Sequence, residues 1–247
     1  MPSVNDLASL LDAQRYESAQ SSPSDGIAPR AHATFIEGPV GPLEALWEWP
    51  GELAPAVRPS GAALFCHPHP LLGGTMTNKA TYHSAKALRA CGLATLRFNF
   101  RGVGRSGGVH DGGVGEIDDV AAAWAWMQSQ SASEGIAGPM LLGGFSFGAR
   151  ASMKAAIRFP TVDALILVGL PVSVFPCAAV LESTMPLLVV QGSRDEFGPL
   201  DALRELLDRR SAETTLTVVE GASHLFSDHF AELHAAIATW VQARWMG

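Results

Sequence analysis

Gly144-Phe145-Ser146-Phe147-Gly148 sets a serine hydroxyl midway between two glycines. The residues before it, Pro139 to Gly144, read as a buried strand, and those after it, Ala149 to Ala155, read as a helix. A serine on a tight strand-to-helix corner presents its Oγ as a nucleophile, and negative charge developing beside it meets the positive end of the helix. Glycine is required two residues to either side because a Cβ there would collide where the strand and helix backbones converge. A plain glycine-rich turn with a surface serine would not need the strand before and the helix after.

A serine hydroxyl is a poor nucleophile until a base takes its proton, so one of the eight histidines must be brought to it. His224 is the best placed, because Gly221-Ala222-Ser223-His224 follows the apolar strand Leu216 to Val219 and precedes the last helix. That is the carboxyl edge where open α/β sheets build their sites. His229 and His234 fall on the final helix and read as solvated or packed. For the acid that orients the histidine, Gln191-Gly192-Ser193-Arg194-Asp195 follows the strand Leu187 to Val190 and puts Asp195 at the same edge. Glu196 is its rival, and a helix cap or a pair with Arg194 is the alternative fate of Asp195.

Acyl transfer also needs backbone N–H groups to meet the charge on a tetrahedral oxygen. The strand Ala63 to Cys66 runs into His67-Pro68-His69-Pro70-Leu71, where the two prolines have no N–H. His69 or Leu71 can therefore donate; His69 is preferred, with Phe147 as the second donor. A metal on His67 and His69 is the competing interpretation, but no third ligand stands at recognisable spacing, and His67 reads as a buried hydrogen-bonder. No cofactor is expected. Gly102-Val103-Gly104-Arg105-Ser106-Gly107 imitates a dinucleotide-binding fingerprint, yet Gly108 to Gly113 after it cannot open a helix for a pyrophosphate. A tight loop with a structural Arg101 is expected instead.

These groups need a frame. Strands are predicted near 32–37, 43–49, 61–66, 93–98, 139–144, 163–169, 186–191 and 214–219, and helices at 78–90, 115–129, 147–158, 200–209 and 228–245. The alternation implies strand-helix-strand units around a mostly parallel sheet. Leu165 to Val168 and Leu187 to Val190 are apolar on both faces, as strands covered on both sides must be, which places them mid-sheet. The first two strands, joined by Gly38-Pro39-Val40-Gly41-Pro42, should pair as an antiparallel hairpin at the sheet edge. Ser227 stands where the last helix would be capped. About 16 residues separate Leu170 from Pro186, too few for a large helical lid, so a site open to water is expected.

Charged residues are 17% and hydrophobic residues 47% of the 247, which suits one well-buried domain. It should span 31–247, preceded by an arm at 1–30 with a short helix over Val4 to Gln14. The formal net charge is -7 with no basic run, which argues against nucleic acid. Cys66, Cys91 and Cys177 form no paired motif and read as small core residues. Neither a signal peptide nor an apolar stretch of membrane-spanning length is present, so a cytoplasmic protein without a membrane partner is expected.

His67-Pro68-His69-Pro70, the run Asn99 to Ser106, the elbow at Ser146, Gly192-Ser193-Arg194-Asp195 and Ser223-His224 together resemble the bacterial α/β-hydrolases akin to dienelactone hydrolase, from about residue 32 to the end. The resemblance implies an α/β-hydrolase fold with a mostly parallel eight-stranded sheet, flanking helices and little or no lid. Dienelactone hydrolase uses a cysteine nucleophile where this chain has Ser146, so its lactone substrate does not carry over. The expected activity is hydrolysis of short-chain carboxylic esters by Ser146, Asp195 and His224. A thioesterase or small-peptide hydrolase would share the same residues, and a non-catalytic scaffold binding a ligand or partner is the alternative of another class.

Overall fold

Eight strands run in the spatial order β1-β2-β4-β3-β5-β6-β7-β8 in the computed structural model, which describes residues 31–51 and 58–246. The expected arm at 1–30 and its helix lie outside the described residues. Strands β1 (Ala31–Gly38) and β2 (Gly41–Glu48) form the expected antiparallel edge hairpin, and β2 also pairs antiparallel with β4 (Ala94–Phe98). All other pairings are parallel, through β3 (Ala62–Cys66), β5 (Met140–Phe145), β6 (Ala164–Val168), β7 (Leu187–Gly192) and β8 (Thr214–Val219).

Every residue of β3, β4, β6 and β7 is buried; β3 and β6 are apolar throughout, as strands covered on both faces are, while β4 buries Arg97 against Glu48. Alternate residues send their side chains into two separate cores. Helices α2 (Gly115–Ser133), α3 (Phe147–Ala156) and α4 (Leu200–Leu207) supply Val120, Trp124, Met153 and Leu203 to one core. Helices α1 (Lys79–Ala90) and α5 (Phe230–Trp245) cover the other face with Leu88, Leu233, Ile237 and Val241. Each fully buried aliphatic side chain contributes about 1.5–3 kcal/mol by leaving water, so the doubly covered sheet holds the strand ends firmly where the site is built.

Two expectations need correction. Ser227 does not cap α5; the cap position is His229, whose side chain makes no capping bond, because a turn closed by His229 N–H to the Phe226 carbonyl at 2.9 Å delays the helix start. Strand β7 lies next to the edge strand β8 rather than at the centre of the sheet, and α4 and α5 nevertheless bury both its faces.

The β6–β7 connection carries only a short 3₁₀ turn at Ala178–Leu181, so no lid covers the sheet edge. Ser146 is nonetheless only 3% exposed. The nucleophile therefore lies in a recess below the loops around it, not on the open surface that a lidless fold suggests.

Candidate active site

Ser146 adopts φ 56 and ψ −116, one of two non-glycine residues with positive φ among the described residues. Such a conformation costs on the order of 1–3 kcal/mol and persists only where the surroundings enforce it. The enforcement comes from both sides. Ser146 N–H donates to the Val168 carbonyl at 2.9 Å, tying the corner to β6, and α3 begins at the next residue. A Cβ at Gly144 would meet the Gly148 carbonyl oxygen at 2.5 Å. A Cβ at Gly148 would instead meet the Cys66 and His67 carbonyl oxygens, the latter at 2.5 Å. The first glycine is needed where strand and helix converge; the second is needed because α3 packs on the end of β3.

His224 Nε2 lies 2.9 Å from Ser146 Oγ, and His224 Nδ1 lies 3.0 and 2.9 Å from the two oxygens of Asp195. All three side chains are buried, His224 to 1% exposure. They come from the ends of β5, β7 and β8, which are brought together by the sheet and not by the chain. The imidazole is wedged between aromatic rings, with Phe145 and Phe197 centred 5.2 and 4.9 Å away. Glu196, the rival acid, faces solvent, and so does Arg194, so Asp195 takes neither alternative role.

Asp195 is held by more than its histidine. Its Oδ1 accepts from Phe197 and Gly198 N–H at 2.9 and 3.0 Å, and its Oδ2 accepts from Gln191 Nε2 at 2.8 Å. Gln191, fully buried on β7, also donates to the Gly198 carbonyl at 3.0 Å and accepts from Leu170 N–H at 2.9 Å. Sequence reasoning missed it. A glutamine inside an otherwise apolar strand, four residues before the acid, was the available signal, since a buried amide demands partners.

Of the two candidate oxyanion donors at the β3 loop, Leu71 N–H is already committed to His69 Nδ1 at 3.2 Å. The N–H groups of His69 and Phe147 have no acceptor among the described residues, and Phe147 opens α3, where helix N–H groups have no partner of their own. The His69 ring packs 5.0 Å from Phe147 and 4.9 Å from His110. Burial, with help from His110, pushes His69 down to about 4, so it is neutral near neutral pH and carries its proton on Nε2. His110 Nδ1 in turn lies 2.7 Å from Glu116 Oε1, and Glu116 accepts from Asp111 and Gly113 N–H, closing the loop that follows β4.

His67 behaves as a hydrogen-bonder. Its Nδ1 is 2.7 Å from the Pro68 carbonyl, its Nε2 accepts from Phe100 N–H at 3.0 Å, and burial pushes it down to about 3. Both ring nitrogens are thus engaged by backbone, and no cluster of three metal-binding side chains occurs among the described residues. The glycine-rich imitation at 102–107 is a tight loop. Arg101 binds Asp119 with Nε and Nη2, at 3.0 and 2.8 Å, and reaches the Gly115 carbonyl. The three cysteines are free and buried; burial raises Cys66 and Cys177 to about 12, which leaves neither as a competing nucleophile.

Residues 63–240 match the alpha/beta hydrolase domain model, well over half of the chain. This chain belongs to the alpha/beta hydrolase family. An alpha-beta serine hydrolase homologue from Coxiella burnetii is 37% identical, with a TM-score of 0.76 over 89% of this chain and 99% of its own. A serine hydrolase from Xanthomonas campestris described as lacking a lid is 31% identical, with a TM-score of 0.79 over 93% of this chain and 99% of its own. An uncharacterized protein of Rickettsia prowazekii (strain Madrid E) is 34% identical over 212 residues, 82% of this chain and 85% of that one. As an alpha/beta hydrolase the chain keeps the serine, acid, histidine order along its length at positions 146, 195 and 224. No helix among the described residues is long and apolar enough to cross a membrane.

Proposed function

We propose that this alpha/beta hydrolase is a serine hydrolase that cleaves carboxylic esters of short acyl chains through an acyl-enzyme. The observation that carries the reading is the 2.9 Å approach of His224 Nε2 to an Oγ held on a strained corner, with a buried carboxylate on the far side of the same ring. His224 takes the Ser146 proton as Oγ attacks the acyl carbon. The negative oxygen of the tetrahedral intermediate is met by the N–H groups of Phe147 and His69. His224 then returns the proton to the leaving oxygen, and water attacks the acyl-Ser146 ester by the same route in reverse.

Asp195 keeps the His224 proton on Nδ1 so that Nε2 is free to accept. The short β6–β7 connection leaves little roof over the recess, which favours short acyl chains over long ones. Of the structural neighbours above 30% identity, one is described as a serine hydrolase homologue and one as a member of the serine hydrolases, which agrees with the reading. The test is a series of 4-nitrophenyl esters of increasing chain length, with acyl thioesters and aminoacyl amides beside them. Turnover that is greatest for short esters and lost in Ser146→Ala is expected; turnover of thioesters or amides alone would reassign the leaving group.

A further inference from the structure

Among the described residues, three of the four buried arginines are well bonded and Arg150 is not. Arg97 binds Glu48 at 2.7 Å, Arg101 binds Asp119, and Arg210 reaches the carbonyls of Val180, Ser183 and Glu213. Arg150 is 8% exposed, yet its Nε has no partner and its Nη1 is 3.5 Å from the Gly113 carbonyl, the outer limit of a hydrogen bond. It forms no ion pair among the described residues, and its guanidinium instead lies 5.2 Å over the Phe175 ring. Burying a cation without a bonded counter-charge is costly; the Glu116 carboxylate acts on Arg150 only through space, its own oxygens being bonded by Asp111 and Gly113 N–H. Arg150 also sits in the first half of α3, where the helix dipole disfavours positive charge. Lys154, one turn on, adds a second cation to the same side, and the nearby Cys177 thiol is uncharged.

Arg150 lies one helical turn after the nucleophile. Arg150 N–H donates to the Ser146 carbonyl at 3.1 Å, and helix side chains lean toward the N-terminus, here toward Ser146. A Cβ built at Gly113 would touch both Arg150 Nη1 and Phe147 Cε2, so guanidinium and Phe147 ring line one wall. That wall, completed by His69 and Phe175, belongs to the oxyanion side of the recess. His224, which must protonate the leaving group, is flanked by different residues, Phe145 and Phe197. The alcohol part of a bound ester lies toward His224, and an acyl chain running the other way, past the Phe147 ring, meets Arg150.

We infer that Arg150 receives a carboxylate at the far end of the acyl chain, so that the preferred substrates are monoesters of short dicarboxylic acids. This rests on the ester-hydrolase reading for turnover, but the anion site can be measured without it. The turnover experiment compares mono-4-nitrophenyl adipate with 4-nitrophenyl hexanoate, an uncharged ester of equal chain length. The wild type should favour the adipate, and Arg150→Met should lower the ratio of the two kcat/KM values at least about tenfold, the loss of one charge-assisted hydrogen bond. Arg150→Lys should restore part of it.

The binding experiment measures monomethyl adipate by calorimetry in the Ser146→Ala protein, where Arg150→Met should weaken the dissociation constant at least about tenfold. Arg150→Met removes a poorly paired buried charge, and a melting temperature no lower than that of the wild type verifies its fold. Arg150-dependent binding without turnover of any ester would sustain the anion site and defeat the esterase reading. Ester turnover with a ratio and an affinity that ignore position 150 would overturn the anion site and leave the esterase reading intact.

Discussion

Gln191 Nε2 lies 2.8 Å from Asp195 Oδ2, and the same amide bonds Gly198 and Leu170, so one side chain ties the acid loop to the ends of two strands. The acid's position is thus set on β7 itself and not by the loop alone.

Replacing Gln191 by Leu strands the Leu170 N–H and the Gly198 carbonyl in the interior. Each such group costs about 1–3 kcal/mol, so denaturant unfolding should show a loss of roughly 2 kcal/mol or more. At temperatures where the variant is still folded, kcat should fall while KM changes little, because the change reaches substrate only through Asp195 and His224. An unaltered kcat would show that Asp195 needs no support from β7.

Asp195→Asn keeps the shape of the acid but offers His224 an amide, allowing the ring to place its proton on the nitrogen facing Ser146. On the proposed mechanism kcat should fall by about 10⁴, with the fold intact by melting temperature. A loss of less than tenfold would mean that a different group orients the base.

Gly148→Ala directs a methyl at the carbonyls ending β3, which cannot move without shifting the His69 loop. Overpacking against backbone costs about 2–4 kcal/mol, equivalent to a fall of roughly 5–15 °C in Tm for a chain of this size. Gly112→Ala meets no neighbour within 4 Å, although its positive φ of 61 adds local strain. Its melting temperature should drop by much less.

Much of this frame was legible because the chemistry-bearing residues lie at the ends of strands with two-faced apolar runs. Leu165 to Val168 and Leu187 to Val190 mark buried strands by composition alone, and the residues after β7 and β8 must then emerge at one edge. The elbow was legible because its two glycines have a steric cause. Gln191, Glu116 and Arg150 were not, since a polar residue reveals its partners, or their absence, only when distant segments meet. The capping position of α5 was missed for a local reason: a turn through Phe226 at φ 54 competes with the helix start that Ser227 suggests.

Acid should unfold the protein earlier than carboxylate titration alone would bring about. His67 and His69 are depressed in the folded state, to about 3 and about 4, from an ordinary value near 6.5. Between those limits the unfolded chain binds more protons than the folded one, so stability rises with pH across the window and is lost as pH falls from about 6.5 toward 3. Fully buried His67 contributes a slope of up to about 1.4 kcal/mol per pH unit. Urea unfolding between pH 7 and 4 should show this slope, and it should flatten in His67→Gln. A slope identical in both proteins would contradict the buried neutral imidazole.

The central claim is that Ser146 is activated by His224. Intact-mass and peptide mass spectrometry after exposure to a fluorophosphonate tests it most directly. One adduct on the peptide carrying Ser146 is expected in the wild type, none in Ser146→Ala, and labelling slowed by several orders of magnitude in His224→Ala. An unlabelled wild type, or an adduct on any other residue, would contradict it.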